Sequence, residues 1–174
     1  MEDVFFDDVD MIVVPGGFGD ADSYSSLFKH NAKRVRQFVA DGGRYLGICM
    51  GAYWAGSNYL NVLDGVDAVQ YLKQPGTDTR RPHAKAIDIT WQGQPDRMFW
   101  YDGCALVGNA SKFTTVATYA NGDAMAIIQN QIGLIGSHPE ADKFWYDGYS
   151  WMKRHWAGGH HRRLQEFADQ LMQS

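Results

Sequence analysis

The sequence predicts an α/β fold, namely a flavodoxin-like, three-layer arrangement in which a mainly parallel sheet has helices on both faces. Three observations support this class. Residues 9–14 (VDMIVV) form a continuous apolar run rich in β-branched residues, which is typical of a buried parallel strand. Residues 23–40 and 160–172 have apolar side chains at helical spacing. Shorter apolar runs separated by turn residues indicate antiparallel strands in the second half of the chain.

The composition indicates one domain over residues 1–174, since 45% of the residues are hydrophobic and 14% aromatic, enough for a packed core. The formal net charge of −4 argues against a nucleic-acid-binding surface. No apolar run reaches about 18 residues, so we expect no membrane partner. The two cysteines indicate no disulfide framework, and we expect no secretory signal before the first strand. We therefore expect a cytoplasmic protein, and we expect no cofactor.

The first half of the chain is predicted to contain two strands and two helices. The strand at residues 9–14 ends in a proline and two glycines, and a helix over residues 23–40 follows it. The cationic side chains of that helix are interpreted as a solvated face; they are Lys29, Lys33, Arg34 and Arg36. Residues 42–56 (GGRYLGICMGAYWAG) read as a strand, a sharp turn and a second helix.

The second half of the chain is predicted to be mostly strands. Residues 61–85 are irregular and form either a loop over a pocket or an exposed connector. Strands at residues 86–92 and 97–107 are joined by a Gly-Gln-Pro-Asp turn, with a possible bulge where Tyr101-Asp102-Gly103 interrupts the second. A hairpin turns at Asn121-Gly122. One more strand, residues 132–136, precedes the last helix.

Cys49 is the first candidate catalytic residue. Glycines stand two positions before and two positions after it, at Gly47 and Gly51. Such a pair lets the backbone turn sharply enough to present a nucleophile at the junction of a strand and a helix. The start of a helix also favours the thiolate form of a cysteine. The alternative is a buried structural thiol whose flanking glycines only shape a turn.

A second candidate stretch is IGLIGSHPE at residues 132–140. Pro139 ends the strand, which places His138 just beyond its carboxyl end. Sites in open α/β sheets are built at that edge. A cysteine, a histidine and a carboxylate supply a nucleophile, a base and a group that orients the base. Cys49, His138 and Glu140 are therefore the predicted catalytic residues, and the alternative is a surface histidine.

These motifs resemble those of the class I glutamine amidotransferase superfamily, which has G-x-C-x-G at the elbow and H-P-E after a later strand. The segments VVPGG at 13–17 and WYDG at 100–103 make the sequence similar to the amidotransferase-like domain at the N-terminus of some biotin-protein ligases. The resemblance covers about residues 9–145. It implies backbone N–H groups of Gly17 and Met50 as oxyanion donors, and it does not imply biotin ligation, because only the appended domain is matched.

Two departures from the superfamily pattern bear on function. Glutaminases of the superfamily usually have glutamine four residues after the nucleophile, where this sequence has Tyr53. Members of the superfamily also have a first β-α-β unit before the PGG strand, and we expect this chain to lack it. The strand at residues 9–14 would then be an apolar edge, which we expect a second copy of the chain to cover, unless the natural protein is longer.

The sequence therefore favours a hydrolase or transferase that acts on an amide or similar C–N bond of a small-molecule substrate. Gly16, Tyr53 and Asp102 are the candidate substrate-binding residues, although Asp102 also fits a solvated acid. Two alternatives stay open: a catalytically silent binding or regulatory domain, and a redox-sensing thiol at Cys49. No metal site is predicted, because His160-His161 has no further ligand nearby in the sequence.

Overall fold

The computed structural model describes residue 6, residues 8–17 and residues 21–174, apart from the side chains of residues 21 and 22. Within these residues the strands are β1 (Met11–Val14), β2 (Arg44–Ile48), β3 (Val66–Gln70), β4 (Lys85–Trp91), β5 (Gln94–Trp100), β6 (Cys104–Gly108), β7 (Thr114–Tyr119), β8 (Ala124–Gln129) and β9 (Ile132–Ile135). The α-helices are α1 (Ala21–Leu27), α2 (Ala32–Ala40), α3 (Met50–Ala55), α4 (Lys143–Asp147) and α5 (His161–Met172).

The strands form one mixed sheet in the order β1-β2-β9-β8-β7-β4-β5, and β6 joins it by pairing with β8 and with β3. Pairing is parallel between β1 and β2 and between β2 and β9, and it is antiparallel elsewhere. The predicted α/β class is confirmed. The parallel part is confined to one end of the sheet, because two-residue connections such as Asn130-Gln131 allow only antiparallel neighbours.

Helices cover both faces of the sheet, as predicted. On one face, Leu46 of β2 shares a buried cluster with Phe167 and Leu171 of α5. On the other face, Tyr45 of β2 shares a second cluster with residues of α2 and α3. The alternation of neighbouring β2 residues between the two faces follows from the two-residue period of a strand.

The structure corrects two predictions in the first half of the chain. The predicted helix over residues 23–40 is interrupted, since α1 ends at Leu27 and a short 3₁₀ turn over Lys29–Asn31 leads into α2. The segment 61–85 contains strand β3, which pairs in antiparallel fashion with β6. The sequence of β3, VDAVQ, alternates too weakly to indicate a strand without its partner.

The structure also corrects two predictions for residues 92–104. The β4–β5 hairpin turns at Gln92 and Gly93, which both have positive φ, and the predicted turn residues 94–96 belong to β5. Tyr101-Asp102-Gly103 is not a bulge within one strand, because β5 pairs with β4 whereas β6 pairs with β3 and β8. This segment therefore joins two strands that lie at different positions in the sheet.

Strand β1 is an edge of the sheet among the described residues, where its pairing is with β2. Val13 of this strand is 49% exposed. The predicted apolar edge is thus present in the described part of the chain. None of the helices described is both long and apolar enough to cross a membrane.

Candidate active site

Cys49 lies at the sharp turn between β2 and α3. Its backbone has φ 47° and ψ −101°, a conformation that residues with a side chain rarely adopt. Such strain costs about 1–3 kcal/mol and persists only where neighbouring contacts enforce it. Here the Cys49 N–H donates to the carbonyl of Ile135 at 2.8 Å, and the Cys49 carbonyl accepts from the Tyr53 N–H at 3.0 Å. The turn is therefore held by β9 and by the first turn of α3.

The glycines around Cys49 allow three backbone segments to touch. A Cβ at Gly47 would lie 2.5 Å from the carbonyl oxygen of Gly51. A Cβ at Gly51 would overlap the carbonyl oxygen of Val14 in β1. Both positions therefore exclude any side chain, since real Cβ contacts are longer. The G-x-C-x-G spacing is thus a packing requirement of the junction between β1, β2 and α3.

His138 and Glu140 lie beyond the carboxyl end of β9, next to the end of β2. His138 Nδ1 and Glu140 Oε1 are 2.8 Å apart, and the His138 side chain is only 4% exposed. The His138 N–H also donates to the carbonyl of Phe99 at 2.9 Å, which ties this segment to β5. The second carboxylate oxygen, Glu140 Oε2, is buried and has no hydrogen-bond partner among the described residues.

The His138 imidazole also interacts electrostatically with the Cys49 side chain. Burial of the imidazole acts to lower its pKa. The charge of Cys49, its hydrogen bond to His138, and the Glu140 carboxylate together outweigh this effect and raise the pKa of His138 to about 10. The protonated imidazole is therefore the favoured form of His138 near neutral pH.

Aromatic rings and a glycine enclose the imidazole of His138. Phe99 packs edge-on with ring centroids 5.7 Å apart, and Trp145 packs at 5.4 Å. On another side, a Cβ placed at Gly16 would lie 2.7 Å from His138 Nδ1 and 3.1 Å from Glu140 Oε1. Gly16, a predicted substrate-binding residue, therefore packs directly against the pair formed by His138 and Glu140. These contacts fix the ring and exclude water from it.

The segment between β5 and β6 lies over Cys49. The thiol donates to the carbonyl of Tyr101 at 3.5 Å, and the Tyr53 hydroxyl donates to the carbonyl of Asp102 at 3.0 Å. Asp102 has a positive φ of 46°, and its carboxylate accepts from Gln70 Nε2 at 3.1 Å. Burial raises the pKa of Asp102, although the Gln70 hydrogen bond and the charge of Lys73 oppose the rise. Tyr53 and Gln70 therefore anchor the segment that covers the thiol.

The two predicted oxyanion donors are neighbours in the structure. Gly17 follows β1, and Met50 opens α3. A Cβ at Gly17 would lie 3.6 Å from the Met50 side chain, an ordinary van der Waals contact. The N–H of Met50 belongs to the first helical turn, where backbone donors have no acceptor within the helix.

The predicted site residues thus fall into one region at the ends of β1, β2 and β9. Cys49, His138 and Glu140 are brought together, and Gly16 packs against the last two. Tyr53 and Asp102 contact each other beside the thiol. Sequence reasoning missed Phe99, Gln70 and the Tyr101 carbonyl. Tyr101 lies within the WYDG segment at 100–103, and the sequence pattern gives its carbonyl no role.

The adjacent histidines near the C-terminus make separate contacts. His160 Nε2 lies 3.2 Å from Asp96 Oδ1, and His161 Nε2 lies 3.2 Å from the carbonyl of Glu140. The part of the chain that the structure describes holds no group of three or more His, Cys, Asp and Glu residues able to bind a metal ion.

Residues 2–65 match a protein family described as the N-terminal part of biotin-protein ligase. This segment includes β1, β2, Cys49 and α3. No curated protein is significantly similar to the chain.

Several solved structures share the fold. A glutamine amidotransferase is 18% identical, with a TM-score of 0.61 over 92% of this chain and 79% of the other. A glutamine amidotransferase from Thermotoga maritima is 13% identical, with a TM-score of 0.66 over 95% and 79% of the two chains. PurLQS from the same organism is 14% identical, with a TM-score of 0.58 over 95% and 81%. The chain therefore has the fold of these solved glutamine amidotransferases, and residues 2–65 are similar to the N-terminal part of biotin-protein ligase.

Proposed function

We propose that the protein is a cysteine-dependent hydrolase or transferase that acts on an amide or similar C–N bond of a small molecule. The observation that carries this proposal is the position of His138. Its Nδ1 contacts Glu140, its ring lies beside the Cys49 side chain, and aromatic rings shield it from water. A nucleophile, a base and an orienting carboxylate in this order can perform acyl transfer on any fold.

The proposed reaction has two halves. In the first, the Cys49 thiolate attacks the substrate carbonyl carbon, forming a C–S bond and placing a negative charge on the carbonyl oxygen. The C–N bond then breaks as His138 gives its proton to the departing nitrogen, which leaves as ammonia or an amine. In the second half, water or an acceptor amine attacks the thioester and His138 takes its proton, so that the thiolate leaves and the acid or new amide is released.

The negative charge on the carbonyl oxygen needs preorganised donors. The N–H groups of Gly17 and Met50 are the proposed donors, because the two residues are neighbours and the Met50 N–H is free of an intrahelical acceptor. In comparable sites, removing one such donor raises the activation barrier by about 3–4 kcal/mol.

Tyr53 and Asp102 are the residues that we propose contact the substrate. The pKa of Tyr53 is raised mainly by burial and further by the charges of Cys104, Asp102 and Cys49, so its phenol stays neutral. A neutral hydroxyl near the nucleophile can donate to a substrate carbonyl or amide once it releases the Asp102 carbonyl. A substrate must also displace the Tyr101 carbonyl from the thiol.

Trapping of the acyl-enzyme tests the proposal directly. A panel of primary amides, including glutamine and its analogues, is incubated with the protein, and both ammonia release and intact mass are followed. We expect at least one amide to release ammonia and to leave a transient acyl adduct that peptide mapping assigns to Cys49. Cys49→Ala should abolish both readouts, whereas Cys104→Ala should retain them. Turnover that survives Cys49→Ala would contradict the proposal.

The second candidate is a binding or regulatory domain that keeps the geometry of the site without turnover. The contact between the Tyr101 carbonyl and the Cys49 thiol favours this second candidate, because it leaves Cys49 only 6% exposed. A protein of this kind would give no acyl adduct with any amide, and Cys49→Ala would leave its ligand binding unchanged.

A further inference from the structure

A second concave site lies away from the candidate active site. It is a cleft of about 430 Å³ between α1, the start of α2 and the segment after α3. Cys49, His138 and Glu140 do not line it. The residues that give it chemical character are Tyr24, Lys29, Lys33, Arg36, Asn58 and Tyr59. A volume of this size falls within the range of small-molecule sites.

The cationic side chains of the cleft lie on one face of the 3₁₀ turn and α2. Lys29 and Lys33 are four residues apart, and Lys33 and Arg36 are three apart, so that they face the same way across the 3₁₀ turn and α2. Within the described residues none of the three forms an ion pair, although the whole chain has a formal net charge of −4. The sequence predicted a solvated face of four cationic side chains. Three of them, Lys29, Lys33 and Arg36, line this cleft.

A buried tyrosine adds a second, independent feature. Tyr24 is only 7% exposed, and its ring packs against Trp54 at 5.5 Å and Tyr59 at 4.8 Å. It nevertheless lines the cleft, and its hydroxyl makes no hydrogen bond within the described part of the chain. The hydroxyl oxygen is not among the buried polar atoms that lack a partner, so it faces the open cleft. Its hydroxyl is therefore available to a molecule in the cleft.

We propose that this cleft binds a small phosphate ester whose phosphate is joined to a flat organic ring. The phosphate would lie between Lys29, Lys33 and Arg36, because guanidinium and ammonium groups donate strongly to phosphate oxygens. The Tyr24 hydroxyl supplies a further donor. The ring would pack on the half-buried side chain of Tyr59 and interact with the Asn58 amide. This proposal does not depend on the reaction proposed at Cys49.

Calorimetric titration of the full chain tests the cleft with four probes: adenosine monophosphate, adenosine, inorganic phosphate and citrate. We expect adenosine monophosphate to bind with a Kd on the order of 0.1 mM and to bind at least about tenfold more tightly than each of the other three. The double variant Lys33→Met, Arg36→Met should weaken its binding at least about tenfold, since two charge-assisted contacts are lost. Tyr24→Phe, which removes only a hydroxyl, should weaken it about threefold or more.

Two controls make the titration decisive. Lys153→Met removes an exposed cation outside the cleft and should leave the Kd unchanged. Cys49→Ala should also leave it unchanged, which separates this site from the proposed reaction. The proposal is overturned if adenosine monophosphate does not bind, if citrate binds equally well, or if the double variant binds it as tightly as the wild type.

Discussion

At the scale of single residues, His138 carries the chemistry of the candidate site. Its imidazole contacts a carboxylate and a thiol and is enclosed by two aromatic rings. Burial alone would favour the neutral ring, and the two acidic neighbours reverse that preference. Removing one acidic neighbour should therefore reduce the stability of the folded protein over a defined range of pH.

We predict that Glu140→Gln lowers the free energy of unfolding by about 1.5–3 kcal/mol near neutral pH and below, as expected for a hydrogen bond to a charged group. The folded-state pKa of His138, about 10, is raised above the ordinary value of 6.5. The stabilisation is therefore complete below pH 6.5 and is lost as the pH rises through about 10. Urea unfolding of both proteins between about pH 6 and pH 10 measures the difference, and a difference that grows with pH would refute the assignment.

The sequence predicted that Cys49, His138 and Glu140 lie close together, and it did not predict what surrounds them. Cys49, His138 and Glu140 could be predicted because each stands at a strand end in a spacing with a physical reason. The Tyr101 carbonyl could not, since a backbone acceptor leaves no pattern in a sequence. Gln70 was missed because its strand, β3, was interpreted as part of an irregular segment.

At the scale of elements, the site depends on close approach between β1, α3 and the segment after β9. Gly16 follows β1 and leaves no space for a side chain beside His138. The contact therefore links the end of one strand to the base that follows another. In the proposed mechanism, this contact is the route by which Gly16 would influence Cys49.

We predict that Gly16→Ala destabilises the protein by about 1–3 kcal/mol, the usual cost of overpacking, and displaces the imidazole of His138. Gly17→Ala is the matched control, since its Cβ would make ordinary contacts with Met50, and it should change stability by less than about 1 kcal/mol. Thermal unfolding combined with the rate of Cys49 alkylation measures both effects. Equal behaviour of the two variants would show that the Gly16 contact has no positioning role.

Element boundaries were predicted where local patterns dominate. The hairpin at Asn121-Gly122 and helix α5 match their predicted positions closely, because a turn closed by a glycine with positive φ and an amphipathic period are both local features. Strand β3 depends on its partner β6, and the β4–β5 turn is decided by two residues with positive φ. Neither pairing with a distant strand nor a positive φ at a glutamine leaves a clear local pattern, so both features were misplaced.

At the scale of the whole molecule, the candidate site lies where the sheet is parallel. The strands β1, β2 and β9 run in the same direction, so their carboxyl ends meet at one edge and bring together residues far apart in sequence. The antiparallel strands extend the sheet on the other side and contribute Phe99 and Tyr101 to the site. The α/β class followed from the sequence, whereas the small extent of the parallel region did not.

The exposed edge at β1 leads to a prediction about assembly. Val13 is half exposed on a strand with an unpaired side among the described residues. We predict that the chain forms dimers through this edge and that Val13→Lys shifts it to the monomer. Light scattering coupled to size-exclusion chromatography measures the mass of both proteins. Gln131→Lys, which lies away from β1, serves as the control variant and should leave the mass unchanged. A wild-type chain that is monomeric at all concentrations would contradict the prediction.

The central claim is that His138 activates Cys49, and the rate of Cys49 alkylation by iodoacetamide near neutral pH tests it most directly. Peptide mapping by mass spectrometry gives the rates of Cys49 and of the fully buried Cys104 in the same chain. We predict that Cys49 reacts at least about tenfold faster than Cys104. His138→Ala should lower the Cys49 rate at least about tenfold, as expected for a thiolate stabilised by an imidazolium. A Cys49 rate that is unchanged in His138→Ala would contradict the account.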